Sequence, residues 1–265
     1  MLDKTPTSLP VRKVADIKRP RSFAIYGRSG SGKTTFAGTF PGPILLLDFR
    51  DRGTDSVAEV KNLDVYEVED WDDIEEIYLF LIKNEKKYRT IVFDTITQMQ
   101  GIAMEYVLAK KKKRVTDKTL GDWGSMTMRE WGDVSSLMKE KITIFRDLPM
   151  EVVFLAQERL RKDDGGPDDT DDMLVPEVGP ALTPSVASHL NASVSVIGNT
   201  FIRVRRKVVK KDGKKTEHDE MRYCLRLGAH PVYTTKVRKA RDIQVPLFIE
   251  NPTHKDVVDI LSGNE

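Results

Sequence analysis

Apolar residues along the chain alternate between two rhythms. Short continuous apolar runs occur at 23–26, 44–48, 90–94 and 152–156, with a weaker one at 63–68. Runs of that length without alternation predict strands buried on both faces. Between them the apolar spacing lengthens to three or four residues. Ile74, Ile77, Tyr78, Leu81 and Ile82 predict a helix over 71–84. Met99, Ala103 and Val107 predict another over 96–110, and Val134, Leu137, Lys141, Ile144 and Leu148 a third over 130–148. Strands that alternate with helices imply an α/β fold, a mostly parallel sheet with helices on both faces.

Past residue 190 the pattern changes. Segments 192–197 and 201–209 flank Gly198-Asn199, a hairpin signal, and Asp212-Gly213 separates the second of them from 221–227. The expectation is a C-terminal antiparallel β-meander over 191–252, attached to a core at 21–190. Residues 1–20 then form a tail or docking arm and 253–265 a C-terminal tail. Segments 110–124 and 162–180, the second rich in Asp, Gly and Pro, are expected to be mobile.

One eight-residue stretch carries most of the chemistry. Residues 27–34 read Gly27-Arg28-Ser29-Gly30-Ser31-Gly32-Lys33-Thr34, a full match to G-x-x-x-x-G-K-[ST]. The apolar run before it and Thr35-Phe36-Ala37 after it supply the strand–loop–helix setting that this phosphate-binding loop requires. The glycines let backbone N–H groups approach phosphate oxygens, and the helix N-terminus adds positive potential. Lys33 is expected to reach the β- and γ-phosphates, and the Thr34 hydroxyl to ligate Mg²⁺. Ser29, Ser31 and Thr35 complete the expected nucleotide contacts. ATP is preferred to GTP, because no N/T-K-x-D guanine motif occurs.

Two strands end in acids. Asp94 closes Val92-Phe93-Asp94 as a Walker B aspartate does, a second metal-holding group, and Asp48 closes the neighbouring run. Ligands of open α/β sheets sit beyond the carboxyl ends of the strands. Gly30, Asp48, Asp94 and Gln157 are therefore expected to converge.

This order of elements resembles the RecA-type P-loop ATPase core. The pieces Tyr26-Gly27, Gly32-Lys33-Thr34-Thr35-Phe36-Ala37, Phe40-Pro41-Gly42-Pro43 with the run to Asp48, and Thr235-Lys236-Val237-Arg238 resemble short phage nucleotide-binding proteins of the AAA-family ATPases. Some of these are single-strand annealing recombination proteins with a truncated RecA core. The resemblance covers roughly 20–252. It implies a homo-oligomer, ring or filament, that binds ATP, Mg²⁺ and single-stranded DNA, acts in phage-type recombination or annealing, and works beside a single-strand DNA-binding protein. It implies that Gln157 is a polar sensor of the γ-phosphate, and that Lys236 and Arg238 serve a neighbouring subunit's nucleotide. The chain departs from the family at Arg50, where a water-activating Glu is usual. Asp51 is the adjacent replacement, and slow hydrolysis is expected. A nucleotide switch acting on a protein partner without DNA is the alternative.

Three basic stretches are candidates for DNA. Lys110-Lys111-Lys112-Lys113-Arg114 follows the helix after Asp94, with Trp123 and Trp131 nearby for base stacking. Arg159 and Arg161 follow Gln157 and precede an acidic run. Arg203, Arg205 and Lys207 alternate with Ile202, Val204 and Val208, so strand spacing sets the cations about 6.7 Å apart on one face.

Composition adds limits. The 265 residues carry a net charge of +2, which does not mark a nucleic-acid binder by itself. A single cysteine, Cys224, excludes an internal disulfide and fits a reducing compartment. The histidines at 189, 218, 230 and 254 show no metal-ligand spacing. No apolar stretch approaches the length of a membrane span, no signal-peptide pattern opens the chain, and the expected location is the cytoplasm.

Overall fold

The computed structural model describes residues 11–13, 19–112, 126–161, 177–211, 214–239 and 242–263. The parallel strands are β1 (Ser22–Gly27), β2 (Ile44–Asp48), β3 (Leu63–Glu67), β4 (Thr90–Asp94) and β5 (Glu151–Ala156). Two short strands, β6 (Glu158–Arg161) and β7 (Glu177–Pro180), pair with each other. The C-terminal strands are β8 (Val196–Lys211), β9 (Lys214–Arg226), β10 (Lys236–Val237) and β11 (Phe248–Glu250). The helices are α1 (Lys33–Ala37), α2 (Trp71–Lys83), α3 (Ile96–Lys112), α4 (Met128–Arg146), α5 (Pro184–Ser193) and α6 (His254–Ser262).

The main sheet runs β11-β9-β8-β1-β5-β4-β2-β3, with β10 paired on β8. Strands β3, β2, β4, β5, β1 and the first part of β8 are parallel, and β9, β10 and β11 add antiparallel partners. This is an α/β P-loop fold. Strand β5 lies between the phosphate-loop strand β1 and the Asp94 strand β4, so the two are not neighbours.

The central strands are apolar throughout because both faces are covered. In β1, Ala24 and Tyr26 join a core with α2, α3, α4 and α5, through Ile74, Met99, Met138, Phe145 and Leu190. Phe23 and Ile25 point the other way, to Phe36 of α1 and Val257 and Leu261 of α6. Lys141, at an apolar-spaced position of α4, is buried and pairs with Glu75 of α2. Helix α2 starts on a reciprocal capping box, in which Asp70 accepts from the Asp73 N–H and Asp73 from the Asp70 N–H.

Three expectations are corrected. Gly198-Asn199 is not a turn: both residues lie within β8, paired with Ile25 and Tyr26 of β1. Gly198 is needed because a Cβ there would stand 2.7 Å from Leu225 Cδ1 and 3.3 Å from Ile25 Cδ1. Asn199 is buried, and its Nδ2 donates to the Tyr26 carbonyl while its Oδ1 accepts from Arg226. The strand expected at 192–197 begins only at Val196, because 192–193 close α5. Residues 254–262, read as tail, form α6, started by a Thr253–Asp256 capping box and closed by Gly263 in the left-handed region.

Candidate functional site

The phosphate loop leaves β1 at its carboxyl end and turns directly into α1. Gly30 and Gly32 hold φ of 73° and 88°, a region that only glycine adopts freely. Gly27 answers a different demand, since a Cβ there would lie 2.3 Å from Thr200 Oγ1 and 2.4 Å from the Thr200 carbonyl. Ser31 Oγ donates to the Arg28 carbonyl at 2.7 Å and lies 2.7 Å from Thr200 Oγ1, which ties the loop to β8.

Lys33 is buried in its own loop. Its Nζ donates to the carbonyls of Gly27 (3.1 Å) and Arg28 (2.9 Å). Burial holds its pKa below the ordinary lysine value, opposed by Asp94, Asp51 and Glu158. A triphosphate gives this ammonium the anionic partner that those carbonyls replace only in part.

Thr34 Oγ1 donates a 2.7 Å hydrogen bond to Asp94 Oδ2. The other carboxylate oxygen, Asp94 Oδ1, is buried without a hydrogen-bond partner among the described residues. Burial, reinforced by Asp51 and Asp48, pushes the Asp94 carboxyl up to about 6. A buried acid with an orphaned oxygen beside a hydroxyl is a donor set suited to Mg²⁺, so Thr34 and Asp94 are the residues that would hold it. No cluster of three His, Cys, Asp or Glu suited to a metal occurs among the described residues, so phosphate oxygens and water would fill the other positions.

These groups open into a cavity of about 690 Å³, lined by Ser29 to Phe36, Thr39, Asp51, Gly53, Ser56, Asp94, Gln157 and Thr200, and beyond them by Tyr223, Cys224 and Asn251 to Thr253. Gly30, Asp94 and Gln157 thus converge as the strand order suggests. The Gln157 N–H is held by Thr97 Oγ1 at 3.1 Å.

Asp48 sits beside Asp94 in the sheet but does not line this cavity. Its carboxylate accepts the backbone N–H groups of Asp51 (2.8 Å) and Arg52 (3.1 Å) and so fixes the turn after β2. That turn holds Arg50 and Arg52 at positive φ. It sends Arg50 to Glu105 Oε2 (2.9 Å) and the Glu69 carbonyl, while Asp51 reaches the cavity wall. Arg28 likewise points out, with its Nε 2.8 Å from Glu158 Oε1.

Lys236 and Arg238 stand elsewhere. Lys236 Nζ donates to the carbonyls of Asn191 and Ala192, and Arg238 Nη2 to Ala192, so both cap the C-terminal end of α5. The Arg238 N–H bonds the Ser195 carbonyl, whereas Gly27 pairs with Thr200. Five residues of strand separate the two levels, about 17 Å. Neither cation lines the cavity.

The basic candidates are spread over three places. Lys110 ends the described side chains of α3, with Nζ 4.1 Å from the Tyr106 ring centre. Lys111 and Lys112 continue the helix in backbone only, while Lys113, Arg114 and Trp123 lie outside the described residues. Trp131 is partly buried and packs against the core. Arg159 is exposed on β6, Arg161 is described in backbone only, and of the acidic run at 163–177 only Glu177, at the start of β7, is among the described residues. Arg203 and Arg205 are exposed on β8, with Arg203 3.6 Å from Glu250. Lys207 is described in backbone only, opposite His218. The sequence reading missed Tyr223 and the Asn251–Thr253 corner of the cavity. The capping box at Thr253 was a usable signal for the corner, whereas the approach of Tyr223 to the loop depends on β8–β9 pairing.

Residues 19–238 match a family described as AAA domain. No curated protein matches the sequence. Among solved structures, a KaiC-like protein from Pyrococcus horikoshii OT3 is similar at 10% identity and TM-score 0.40, over 77% of this chain and 84% of that one. Flagellar accessory protein FlaH from Methanocaldococcus jannaschii is similar at 10% identity and TM-score 0.37, over 78% of each chain. No helix among the described residues is long and apolar enough to cross a membrane. The family match begins just before β1, ends at Arg238 and takes in the whole phosphate loop, and the chain belongs to the AAA domain family as a P-loop nucleoside triphosphatase.

Proposed function

We propose that the protein is a RecA-like ATPase that hydrolyses Mg-ATP slowly, binds single-stranded DNA as an oligomer, and promotes homologous recombination or strand annealing of the phage type. One observation carries the reading. The β8–β9 ribbon grows out of the nucleotide cavity, which Thr200, Tyr223 and Cys224 help to line. It then runs on from Thr200 to Lys211, about 36 Å of strand. Exposed Arg203 and Arg205 lie on that arm. A change at the ribbon root on nucleotide binding would be passed to the cationic arm.

In this reading Lys33 and the loop N–H groups bind the phosphates, and Gln157 senses the γ-phosphate. Mg²⁺ held by Thr34 and Asp94 would offset negative charge on the transferring phosphoryl group. Asp51 orients the attacking water. It is one residue beyond the usual acid position, in a turn held by Asp48, and slow turnover follows from that displacement.

Anisotropy of a labelled single-stranded oligonucleotide tests the reading. Binding is expected with Mg-ATP, weaker with Lys33→Ala, and weaker again with Arg203→Glu/Arg205→Glu. No binding at low salt would remove the DNA reading. A second reading, a nucleotide switch on a protein partner, is favoured by the opposite face of the same ribbon. There Ile202 pairs with Tyr223 and Val204 with Met221, and all four are exposed.

A further inference from the structure

We infer that the corner formed by Tyr223 and Asn251 is a base-recognition site selecting adenine over guanine. This inference rests on the nucleotide reading of the cavity and adds the group that reads the base. Tyr223 lies within the family match and Asn251 beyond it, since the match ends at Arg238.

The cavity is lined by the phosphate loop with Asp51, Asp94 and Gln157, and also by Phe36, Thr39, Gly53, Ser56, Tyr223, Cys224 and Asn251 to Thr253. Tyr223 adjoins the loop at Gly32, so a triphosphate seated on the loop would bring its nucleoside within reach of these further lining residues.

Most hydroxyls there are already committed. Thr39 Oγ1 donates to the Phe36 carbonyl and accepts the His254 N–H. Ser56 Oγ donates to the Gly53 carbonyl, and Thr253 Oγ1 bonds Asp256. The side-chain amide of Asn251 makes no hydrogen bond with any described residue. Its backbone is fixed, since its N–H donates to the Tyr223 carbonyl at 2.6 Å and its φ is 47°. Asparagine tolerates that left-handed conformation better than most residues. An uncommitted amide on a fixed backbone presents one donor and one acceptor side by side. That pattern matches N7 and the N6 amino group of adenine and mismatches guanine, whose O6 replaces the amino group.

Tyr223 supplies the flat surface. Its ring packs over Gly32, where a Cβ would come 3.1 Å from Tyr223 Cδ1. The residue remains 46% exposed, so ring area is left for the base to stack on. The pairing of Asn251 with the Tyr223 carbonyl sets the reader beside the platform.

The test measures binding of ATP, GTP and inorganic tripolyphosphate to the full chain in Mg²⁺, for wild type, Asn251→Asp, Asn251→Gly and Tyr223→Leu. Wild type is expected to favour ATP over GTP by about tenfold or more, the range of one bidentate base contact. Asn251→Asp removes the donor to N7 while keeping an acceptor for the N6 amino group, so it should lower ATP affinity without raising that for GTP, whose N7 and O6 are both acceptors. Asn251→Gly relieves the backbone, deletes the amide and should lower ATP affinity without raising that for GTP. Tyr223→Leu should weaken both nucleotides together. Tripolyphosphate binding should stay unchanged in both Asn251 variants, which also certifies that they fold. Unchanged ATP affinity in both Asn251 variants, with tripolyphosphate still bound, overturns the base site alone. Absence of binding by all three probes to wild type overturns the nucleotide reading and the base site with it.

Discussion

Thr34 and Asp94 meet across sixty residues of chain, hydroxyl to carboxylate at 2.7 Å. That bond satisfies one oxygen of a buried acid and leaves Oδ1 without a partner. The site is therefore under electrostatic stress until a cation arrives, and the stress has a measurable sign.

The Asp94 carboxyl is raised from 3.8 to about 6. A folded-state pKa above the unfolded value means that the native state binds more protons between those limits, so stability falls as pH rises through that window. Well above pH 6 the cost is fully present, about 3 kcal/mol for a shift of about two units. Asp94→Asn, measured by thermal melting in EDTA without nucleotide, should raise Tm at pH 7.5 and by less at pH 5. The same variant should lose Mg-ATP turnover. An equal Tm gain at both pH values would refute the assignment of the stress to this carboxylate.

Gly27→Ala should be strongly destabilising. The added Cβ meets both a side-chain and a backbone oxygen of Thr200, at 2.3 and 2.4 Å. Overpacking typically costs about 1–3 kcal/mol, and a backbone oxygen cannot turn aside. Thr200→Ala should fail to rescue the variant, since it removes one of three close contacts and leaves the Thr200 carbonyl and Ser31 Oγ at 2.7 Å. Chemical denaturation of the single and double variants decides the point, and full rescue would show that β8 moves freely against the loop.

Asp51 and Arg50 separate by direction rather than by sequence distance. Asp51→Asn should lower kcat by about 10²–10⁴-fold with little change in KM, as for loss of a positioned base. Arg50→Glu, which restores the residue type usual at that position in the resembled family, should not raise kcat. Its side chain faces Glu105 and the Glu69 carbonyl, so the substitution sets acid against acid outside the cavity. Steady-state ATPase assays of both variants test this, and a faster Arg50→Glu enzyme would reverse the assignment.

Why one half of the site was readable and the other was not follows from locality. The phosphate loop, the strand ending at Asp94 and the helices with Ile74 and Val134 are set by short-range pattern, and the structure keeps those boundaries to within a few residues. Helix α5 carried a usable signal too, with Pro184 in its first turn and Val186, Ala187 and Leu190 buried on one side. The inward turn of Asp51 depends on positive φ at Arg50 and Arg52 and on the Asp48 carboxylate. Sequence spacing does not encode that turn. Gly198-Asn199 misled for a similar reason: the dipeptide favours turns, but contact with Leu225 and Ile25 demands a glycine in mid-strand. Tyr223 reaches Gly32 only through long-range strand pairing.

Lys236 and Arg238 give the last prediction, which separates capping from action between subunits. Both donate to carbonyls at the end of α5, so Arg238→Ala should cost about 1 kcal/mol in stability as a lost helix-end contact. That loss alone leaves kcat per folded subunit unchanged. In the trans reading, Arg238 leaves α5 to meet a neighbour's γ-phosphate, and its loss abolishes turnover even in well-folded protein. Mixing decides between the two. Lys33→Ala subunits bind no nucleotide but keep Arg238, and Arg238→Ala subunits keep an intact loop. In a mixed assembly the second accepts the cation of the first. ATPase activity that appears on mixing two inactive variants supports action in trans. Near-normal activity of Arg238→Ala by itself assigns the residue to the helix end alone.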